Sequence, residues 1–134
     1  MNLQLQISKV NSRSEIRLSG SKSETNRLLL LHALYPNLIL ENTSDSDDSH
    51  AMQTALSSSE STIDIHHAGT AMRFLTAYFA IQQNREIILT GSPRMQERPI
   101  SILVDALRQL GADIQYEKNE GFPPLRINGK KLSG

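Results

Sequence analysis

The stretch that decides the fold is Leu18-Ser19-Gly20-Ser21-Lys22-Ser23-Glu24-Thr25-Asn26-Arg27. A short alternating segment, 15–18, leads into it, and an apolar run over residues 28–34 follows it. This order predicts a strand, a tight turn and the opening of a helix. The N-terminus of a helix offers unpaired N–H groups and a partial positive charge. With Lys22 and Arg27 beside those groups, the stretch predicts a site for an anion such as a phosphate or a carboxylate.

The turn does not match the two common phosphate-binding fingerprints. A nucleotide P-loop needs a Gly five residues before its Gly-Lys pair. Here Lys22 follows Ser21, and Glu15 stands at the position that the first Gly would take before Gly20. The chain also contains no Gly-x-Gly-x-x-Gly of a dinucleotide-binding fold. A capped helix with two solvated basic residues is the competing interpretation of this stretch taken alone.

Two later turns repeat the combination of small residues and a cation at the start of a helix. They are Ala68-Gly69-Thr70-Ala71-Met72-Arg73 and Leu89-Thr90-Gly91-Ser92-Pro93-Arg94-Met95-Gln96-Glu97-Arg98-Pro99-Ile100. Arginine binds carboxylates and phosphates through two parallel hydrogen bonds. In a parallel sheet, strand–helix junctions gather at the edge where ligands bind. The residues expected to converge on one concave face are Lys22, Arg27, Gly69 and Arg94.

Composition limits the classes of protein that the chain can belong to. It has 134 residues, no Cys, and 14 basic against 14 acidic residues. A broad basic face for nucleic acid or for a membrane surface is therefore disfavoured, and no apolar run approaches the ~18 residues that span a bilayer. The first residues do not resemble a signal peptide. We expect a cytoplasmic protein of one domain, without nucleic-acid or membrane partners.

Strands and helices alternate along the chain, which predicts an α/β (α+β) domain made of βαβαββ-type units. The predicted strands are 3–7, 15–18, 38–40, 62–65, 86–90, 112–116 and 124–127. The predicted helices run over 23–34 and 48–57, from Gly69 through Ile81, and from near Pro99 to Leu110, with Gly111 as the last cap. The third helix is apolar on nearly all sides, so we expect it to be central.

Two metal sites are weaker interpretations of the polar residues. His66 and His67 are adjacent, so they point to opposite sides of an extended chain, and no carboxylate lies at ligand spacing. Asp45, Asp47 and Asp48 are oxygen ligands of the kind that Mg²⁺ prefers, but helix capping and pairing with nearby cations explain them more simply. The chain also lacks the Gly-x-Ser-x-Gly of a serine hydrolase. We expect no metal.

Four motifs together resemble the EPSP synthase family, the 3-phosphoshikimate 1-carboxyvinyltransferases. They occur in the family's order, the similarity extends over essentially the whole chain, and they occupy residues 18–27, 45–48, 68–73 and 91–100. Ser23 and Arg27 speak against the sister enolpyruvyl transferase of peptidoglycan synthesis. The resemblance implies transfer of an enolpyruvyl group from phosphoenolpyruvate to the 5-hydroxyl of shikimate 3-phosphate, in the shikimate pathway of aromatic amino-acid biosynthesis. It implies no metal and no organic cofactor.

The resemblance also implies which residues bind the substrates. Those expected to contact shikimate 3-phosphate are Lys22, Ser23 and Arg27. Those expected to contact phosphoenolpyruvate are Lys22, Gly69 and Arg94. Those expected to shape the phosphoenolpyruvate pocket are Thr70, Arg73 and Arg98. Clustered cations would offset the repulsion between two polyanionic substrates and position them for reaction.

The chain departs from the family's pattern in two residues and in length. His67 stands where the family usually has Asn, and Phe74 where many members have Pro. Family enzymes have a second domain that carries the acid/base carboxylates and the catalytic Lys, so the resemblance implies an N-terminal fragment that is inactive alone and holds no assigned catalytic residue. We expect residues 1–18 to be a strand segment that pairs with that second domain, and 19–134 to be part of the substrate-binding domain. The alternative is a non-catalytic anion-binding module of the same fold.

Overall fold

The computed structural model describes residues 3–4, 6–9 and 12–133. Within that part of the chain, helices and strands occupy the region from Lys22 to Asn128. The helices are α1 (Lys22–Leu34), α2 (Asp47–Ser57), α3 (Gly69–Ala80), α4 (Pro93–Gln96) and α5 (Ser101–Gln109). The strands are β1 (Thr62–Asp64), β2 (Glu86–Thr90), β3 (Asp113–Tyr116) and β4 (Leu125–Asn128).

The strands form one mixed sheet in the order β1-β2-β4-β3. β1 and β2 are parallel, whereas β4 is antiparallel to both of its neighbours, β2 and β3. Along the chain, α3 connects the two parallel strands, and α4 and α5 lie between β2 and β3. The four strands with α3 and α5 therefore make a βαβαββ unit. This arrangement confirms the predicted fold class.

Helix α3 lies at the centre of the core, as its nearly continuous apolar pattern predicts. Met72, Leu75 and Phe79 are buried, and α3 packs against α1, α2, α5, β2 and β4. Apolar strand residues complete the core from the sheet side: Ile63, Ile87, Leu89, Leu125 and Ile127. Removal of this apolar surface from water is the main favourable term in folding.

Some predicted strands are not strands in the structure. The segments without regular secondary structure are 15–18, 38–40 and the described part of 3–7, of which Leu5 lies outside the described residues. Ile16 and Ile39 are 78% and 87% exposed. A strand without a neighbouring strand leaves its backbone N–H and C=O groups unpaired. Within the described residues, no strand lies beside these segments. The expected division between residues 1–18 and 19–134 stays a prediction.

The short helix α4 is a further difference from the predicted pattern. Pro93 takes its first position, where the missing N–H costs no hydrogen bond, and Ser92 Oγ accepts a hydrogen bond from the N–H of Met95 at 3.3 Å. The following helix, α5, begins at Ser101 rather than near Pro99. It ends just before Gly111, whose φ of +95° confirms the predicted cap, because a left-handed residue there favours glycine.

Candidate anion-binding site

The start of helix α1 is fixed by its cap and by the loop that leads into α2. Ser21 accepts a hydrogen bond from the N–H of Glu24 at 3.4 Å. Gly20 lies so close to the loop that a Cβ on it would be 2.0 Å from the carbonyl oxygen of Asn42. Only a residue without a side chain allows this approach. The contact holds Lys22, the first residue of α1, near the start of α2.

Buried polar side chains join α1 to α2. Asn26 is fully buried, and its Oδ1 accepts a hydrogen bond from Ser49 Oγ at 2.9 Å. Ser49 in turn accepts one from Ser46 Oγ at 3.0 Å. Thr25 Oγ1 accepts a hydrogen bond from the N–H of Ser44 at 2.9 Å. Thr25 and Asn26, the buried polar residues of the first motif, therefore hold α1 against α2. The basic residues of the same motif, Lys22 and Arg27, are exposed.

The turn between β1 and α3 leaves the start of α3 without a side-chain cap. α3 begins at Gly69 after Ala68, and among the described residues no side-chain cap hydrogen bond is made to its first N–H groups. Such groups, together with the helix dipole, favour a bound anion. Arg98 lies against the same end, because a Cβ on Gly69 would be 2.5 Å from its Nη1. Backbone donors and a guanidinium are therefore side by side.

The turns that follow β1 and β2 touch each other. Because these strands are parallel, their carboxyl ends reach the same edge of the sheet. The N–H of Ser92, after β2, donates to the carbonyl oxygen of His66, after β1, at 2.8 Å. Gly91 permits this approach, since a Cβ on it would be 2.6 Å from the same oxygen. The second and third turns singled out in the sequence are therefore neighbours.

A surface depression of about 540 Å³ lies where the starts of α1 and α3 meet. We call it the cationic depression, and its lining residues are Lys22, Arg27, Asp48, His67, Gly69, Thr70, Arg73, Phe74 and Arg98. The acid in this set is Asp48, whose Oδ2 is 3.8 Å from Nζ of Lys22. The lining therefore carries an excess of positive charge.

Arg94 lies in a second depression of about 550 Å³, next to the first. This neighbouring depression is lined by His67, Ser92, Arg94, Met95 and Arg98. His67 and Arg98 border both depressions. Ser23 lines neither of them. The structure thus brings Lys22, Arg27 and Gly69 together, and places Arg94 beside them rather than among them.

Backbone carbonyls and an aromatic ring orient the arginines of the cationic depression. Nη1 of Arg73 donates to the carbonyl oxygen of Gly69 at 3.2 Å. Nη1 of Arg27 donates to that of Ser23 at 2.6 Å, and its guanidinium carbon is 5.7 Å from the centre of the Phe74 ring. These partners are neutral, so they hold the guanidinium groups without cancelling their charge. Charged donors of this kind make strong hydrogen bonds with phosphates and carboxylates.

The described part of the chain was compared with the requirements of a metal cluster and of a membrane-spanning helix. Within residues 3–4, 6–9 and 12–133, no three His, Asp or Glu side chains are grouped so that they could hold a metal ion. Among the described helices, none has the length and apolar character needed to cross a bilayer.

The fold and the site together define a class of protein: an α/β domain that gathers cations where parallel strands end and neighbouring helices begin. The statistical model of one family matches residues 41–134, that of EPSP synthase (3-phosphoshikimate 1-carboxyvinyltransferase). Since this match covers well over half of the sequence, the chain belongs to the EPSP synthase family.

Similar proteins agree with this assignment. The chain is 54% identical over 123 residues to a 3-phosphoshikimate 1-carboxyvinyltransferase of Bacteroides fragilis (strain YCH46), with 91% of this chain and 30% of the relative covered. It is 45% identical over 152 residues to the 3-phosphoshikimate 1-carboxyvinyltransferase of Shewanella baltica (strain OS155), and this match covers 93% of this chain and 35% of the relative. The chain therefore spans about a third of the length of these curated relatives.

A solved structure shows the same fold. EPSP synthase from Acinetobacter baumannii superposes with a TM-score of 0.72 at 22% sequence identity, over 89% of this chain and 33% of that one. At this identity the likeness supports the fold alone.

Proposed function

We propose that this chain supplies substrate contacts of a 3-phosphoshikimate 1-carboxyvinyltransferase. That reaction joins the 5-hydroxyl of shikimate 3-phosphate to the enolpyruvyl carbon of phosphoenolpyruvate and releases phosphate. The observation that carries the proposal is the cationic depression, in which basic side chains surround the uncapped start of α3. Both substrates are polyanions, so their approach to each other requires a surface of this charge.

For shikimate 3-phosphate we propose contacts with Lys22, Ser23 and Arg27. Arg27 is held between the Ser23 carbonyl and the Phe74 ring, so its free donors are presented in a limited range of directions. Ser23 is exposed beside it, one helical turn earlier. A phosphate can therefore meet an ammonium group, a hydroxyl and a guanidinium on the same end of one helix.

For phosphoenolpyruvate we propose contacts with Lys22, the backbone of Gly69, and Arg94. Arg98 borders both depressions, which suits a role between the two substrates. Thr70 and Arg73 support this pocket from the first turn of α3. The chain then binds and positions both substrates, while the proton transfers fall to groups other than these.

Titration of the 134-residue chain with shikimate 3-phosphate, followed by NMR, tests the proposal. Two exposed charge-assisted contacts are worth little individually, so we expect an affinity near millimolar, about −4 kcal/mol. Salt should weaken the binding, because exposed charges are screened. Loss of one guanidinium in Arg27→Ala should reduce the affinity about tenfold, and Arg94→Ala should matter much less for this ligand. Arg17→Ala is the matched control, because Arg17 lies outside both depressions.

Two results would contradict the proposal. One is the absence of shifts near Lys22 at millimolar ligand. The other is an equal loss of affinity from Arg27→Ala and Arg94→Ala.

A separate assay concerns catalysis: we expect no phosphate release above blank when the chain is mixed with both substrates. Release above blank would show that the chain itself carries the reacting groups.

A further inference from the structure

Helix α4 is too short to hold its own position. It has four residues, Pro93–Gln96, and an isolated helix shorter than about 12 residues is marginal in water. Met95 is buried and anchors α4 in the core, whereas Arg94 and Arg98, which flank it along the chain, are exposed. The directions in which these two guanidinium groups lie therefore depend on the other contacts that α4 makes with its surroundings.

The side chain of Gln96, the last residue of α4, closes the turn between β2 and α4. Its Nε2 donates to the carbonyl oxygen of Gly91 at 2.9 Å and to Oγ1 of Thr90 at 3.4 Å. Thr90 is the last residue of β2, and Gly91 follows it directly. The end of α4 is thus fastened to the end of the strand that leads into it.

The connection between β3 and β4 supports α4 from a second direction. Nζ of Lys118 donates to Oε1 of Gln96 at 3.0 Å. An ammonium group only donates and a backbone carbonyl only accepts, so the two partners of Gln96 require both ends of an amide and fix which way it points. The same connection also holds the residue before α5, since the N–H of Ile100 donates to the carbonyl oxygen of Gly121 at 2.9 Å. Arg98 therefore lies between two anchored residues.

Arg94 and Arg98 are the positive charges that this segment brings to the anion site. Arg98 borders both depressions, and Arg94 lies in the neighbouring depression. Gln96 itself lines neither of them, so it acts on an anion through the two arginines rather than by contact. A guanidinium that is held in place before the anion arrives loses less side-chain entropy on binding.

We propose that Gln96 is a positioning residue for the phosphoenolpyruvate side of the site. Its bonds to the Gly91 carbonyl and to Lys118 hold α4, and with it Arg94 and Arg98, at the end of β2. The inference rests on the proposed function, which assigns this side of the site to phosphoenolpyruvate. The contacts proposed for shikimate 3-phosphate lie on α1, so they do not depend on this amide.

Gln96→Met tests this inference, because methionine keeps the length and the zero charge of glutamine but lacks its N–H donors. Titrations with phosphoenolpyruvate, and with sulfate as a smaller dianion, are followed through the amide signals of Gly69 and Thr70. The loss of this hydrogen bond lowers the population of the held arrangement, so we expect both anions to bind about two- to fivefold more weakly. Affinity for shikimate 3-phosphate, followed near Lys22, should change by less than about twofold.

An exchange of the two side chains provides the rescue. In the double variant Gln96→Lys with Lys118→Gln, an ammonium group donates to the Gly91 carbonyl and the relocated amide oxygen accepts from it. The net charge equals that of the unchanged chain, so a general electrostatic effect on anion binding is removed. We expect the affinities for phosphoenolpyruvate and sulfate to return to within about twofold of their original values. Gln115→Met is the matched control and should change neither affinity, because Gln115 is exposed on β3 and lines neither depression.

The outcomes separate this inference from the proposed function. Unchanged affinities for phosphoenolpyruvate and sulfate in Gln96→Met would overturn the role of Gln96 and leave the anion site standing. Equal losses for phosphoenolpyruvate and shikimate 3-phosphate, or an exchanged variant that regains the melting temperature but not the affinity, would mean that Gln96 serves only stability, which also overturns it. If phosphoenolpyruvate leaves the Gly69 signal of the unchanged chain unaltered, the proposed phosphoenolpyruvate contacts fail, and this inference fails with them.

Discussion

At the scale of single residues, Gly69 controls where Arg98 can lie. A Cβ at this position would be 2.5 Å from Nη1 of Arg98, the far end of a flexible side chain. We therefore predict that Gly69→Ala displaces Arg98 and weakens sulfate binding severalfold. Stability should stay the same or rise by about 0.5 kcal/mol, because alanine reduces the entropy of the unfolded chain. Thermal unfolding and a sulfate titration of the same variant check both parts.

Gly20→Ala is the contrasting control for that prediction. There the added Cβ would be 2.0 Å from the backbone carbonyl oxygen of Asn42, which cannot move without the loop. We expect this variant to lower the melting temperature clearly. Equal losses of stability in the two glycine variants would show that Gly69 is needed for folding rather than for the position of Arg98.

Asn26 is a residue whose role only the structure shows. In the sequence it is one polar residue of the first motif, and its helical position does not reveal that its side chain is buried between two helices. We predict that Asn26→Ala lowers the free energy of unfolding by about 1–3 kcal/mol, because the buried hydroxyl of Ser49 loses its acceptor. Urea unfolding measures this. In a double-mutant cycle with Ser49→Ala the two losses should be less than additive, and strict additivity would contradict the contact.

At the scale of secondary-structure elements, α3 has the largest structural role, because it packs on helices and sheet alike. Leu75 in its middle is fully buried. Leu75→Ala should lower the free energy of unfolding by about 2–5 kcal/mol through lost burial and a cavity. Leu34→Ala on the exposed side of α1 should cost about 0.5 kcal/mol or less. Urea unfolding of both variants checks the prediction, and similar losses would mean that α3 is not the centre of the core.

The sequence predicts helices whose signals are local. It predicts strands less well, because a strand forms only beside a neighbouring strand. The helices that begin near Ser23 and Gly69 follow from capping residues and apolar spacing, and the structure has both. The strands expected at 15–18 and 38–40 depend on a neighbouring strand, which an alternating pattern does not guarantee. The sequence does not predict helix α4, because Ser92 and Pro93 also fit a simple turn.

The same division applies to the candidate site. Lys22, Arg27 and Gly69 can be grouped from sequence because each lies within the first two turns of a helix, and the structure places them around one depression. The extra turn of α4 moves Arg94 into the neighbouring depression. The sequence marks His67 only as a weak metal-ligand candidate and as a departure from a family pattern. Its place on the border of both depressions depends on how β1, α1 and α4 pack.

At the scale of the whole molecule, several large apolar side chains that are close in sequence are exposed. The exposed residues at the end of α1 and in the loop after it are Leu31, Leu34, Tyr35, Leu38 and Ile39. Exposed apolar side chains promote association when they are grouped on one surface. We predict that the 134-residue chain associates at high concentration and that Ile39→Lys reduces the association, as measured by sedimentation velocity. Ile102→Lys is the control, because Ile102 is equally exposed, at 88%, but lies on α5. If both variants reduce association alike, the α1 surface is not its cause.

The hydrogen bond from the N–H of Ser92 to the carbonyl oxygen of His66 couples the turn after β1 to the turn after β2. A local opening that frees either turn must break this bond, so the two turns should open together in one cooperative fluctuation. An anion that holds the start of α3 would then slow the deuterium exchange of the Ser92 amide, although that amide belongs to the turn after a different strand.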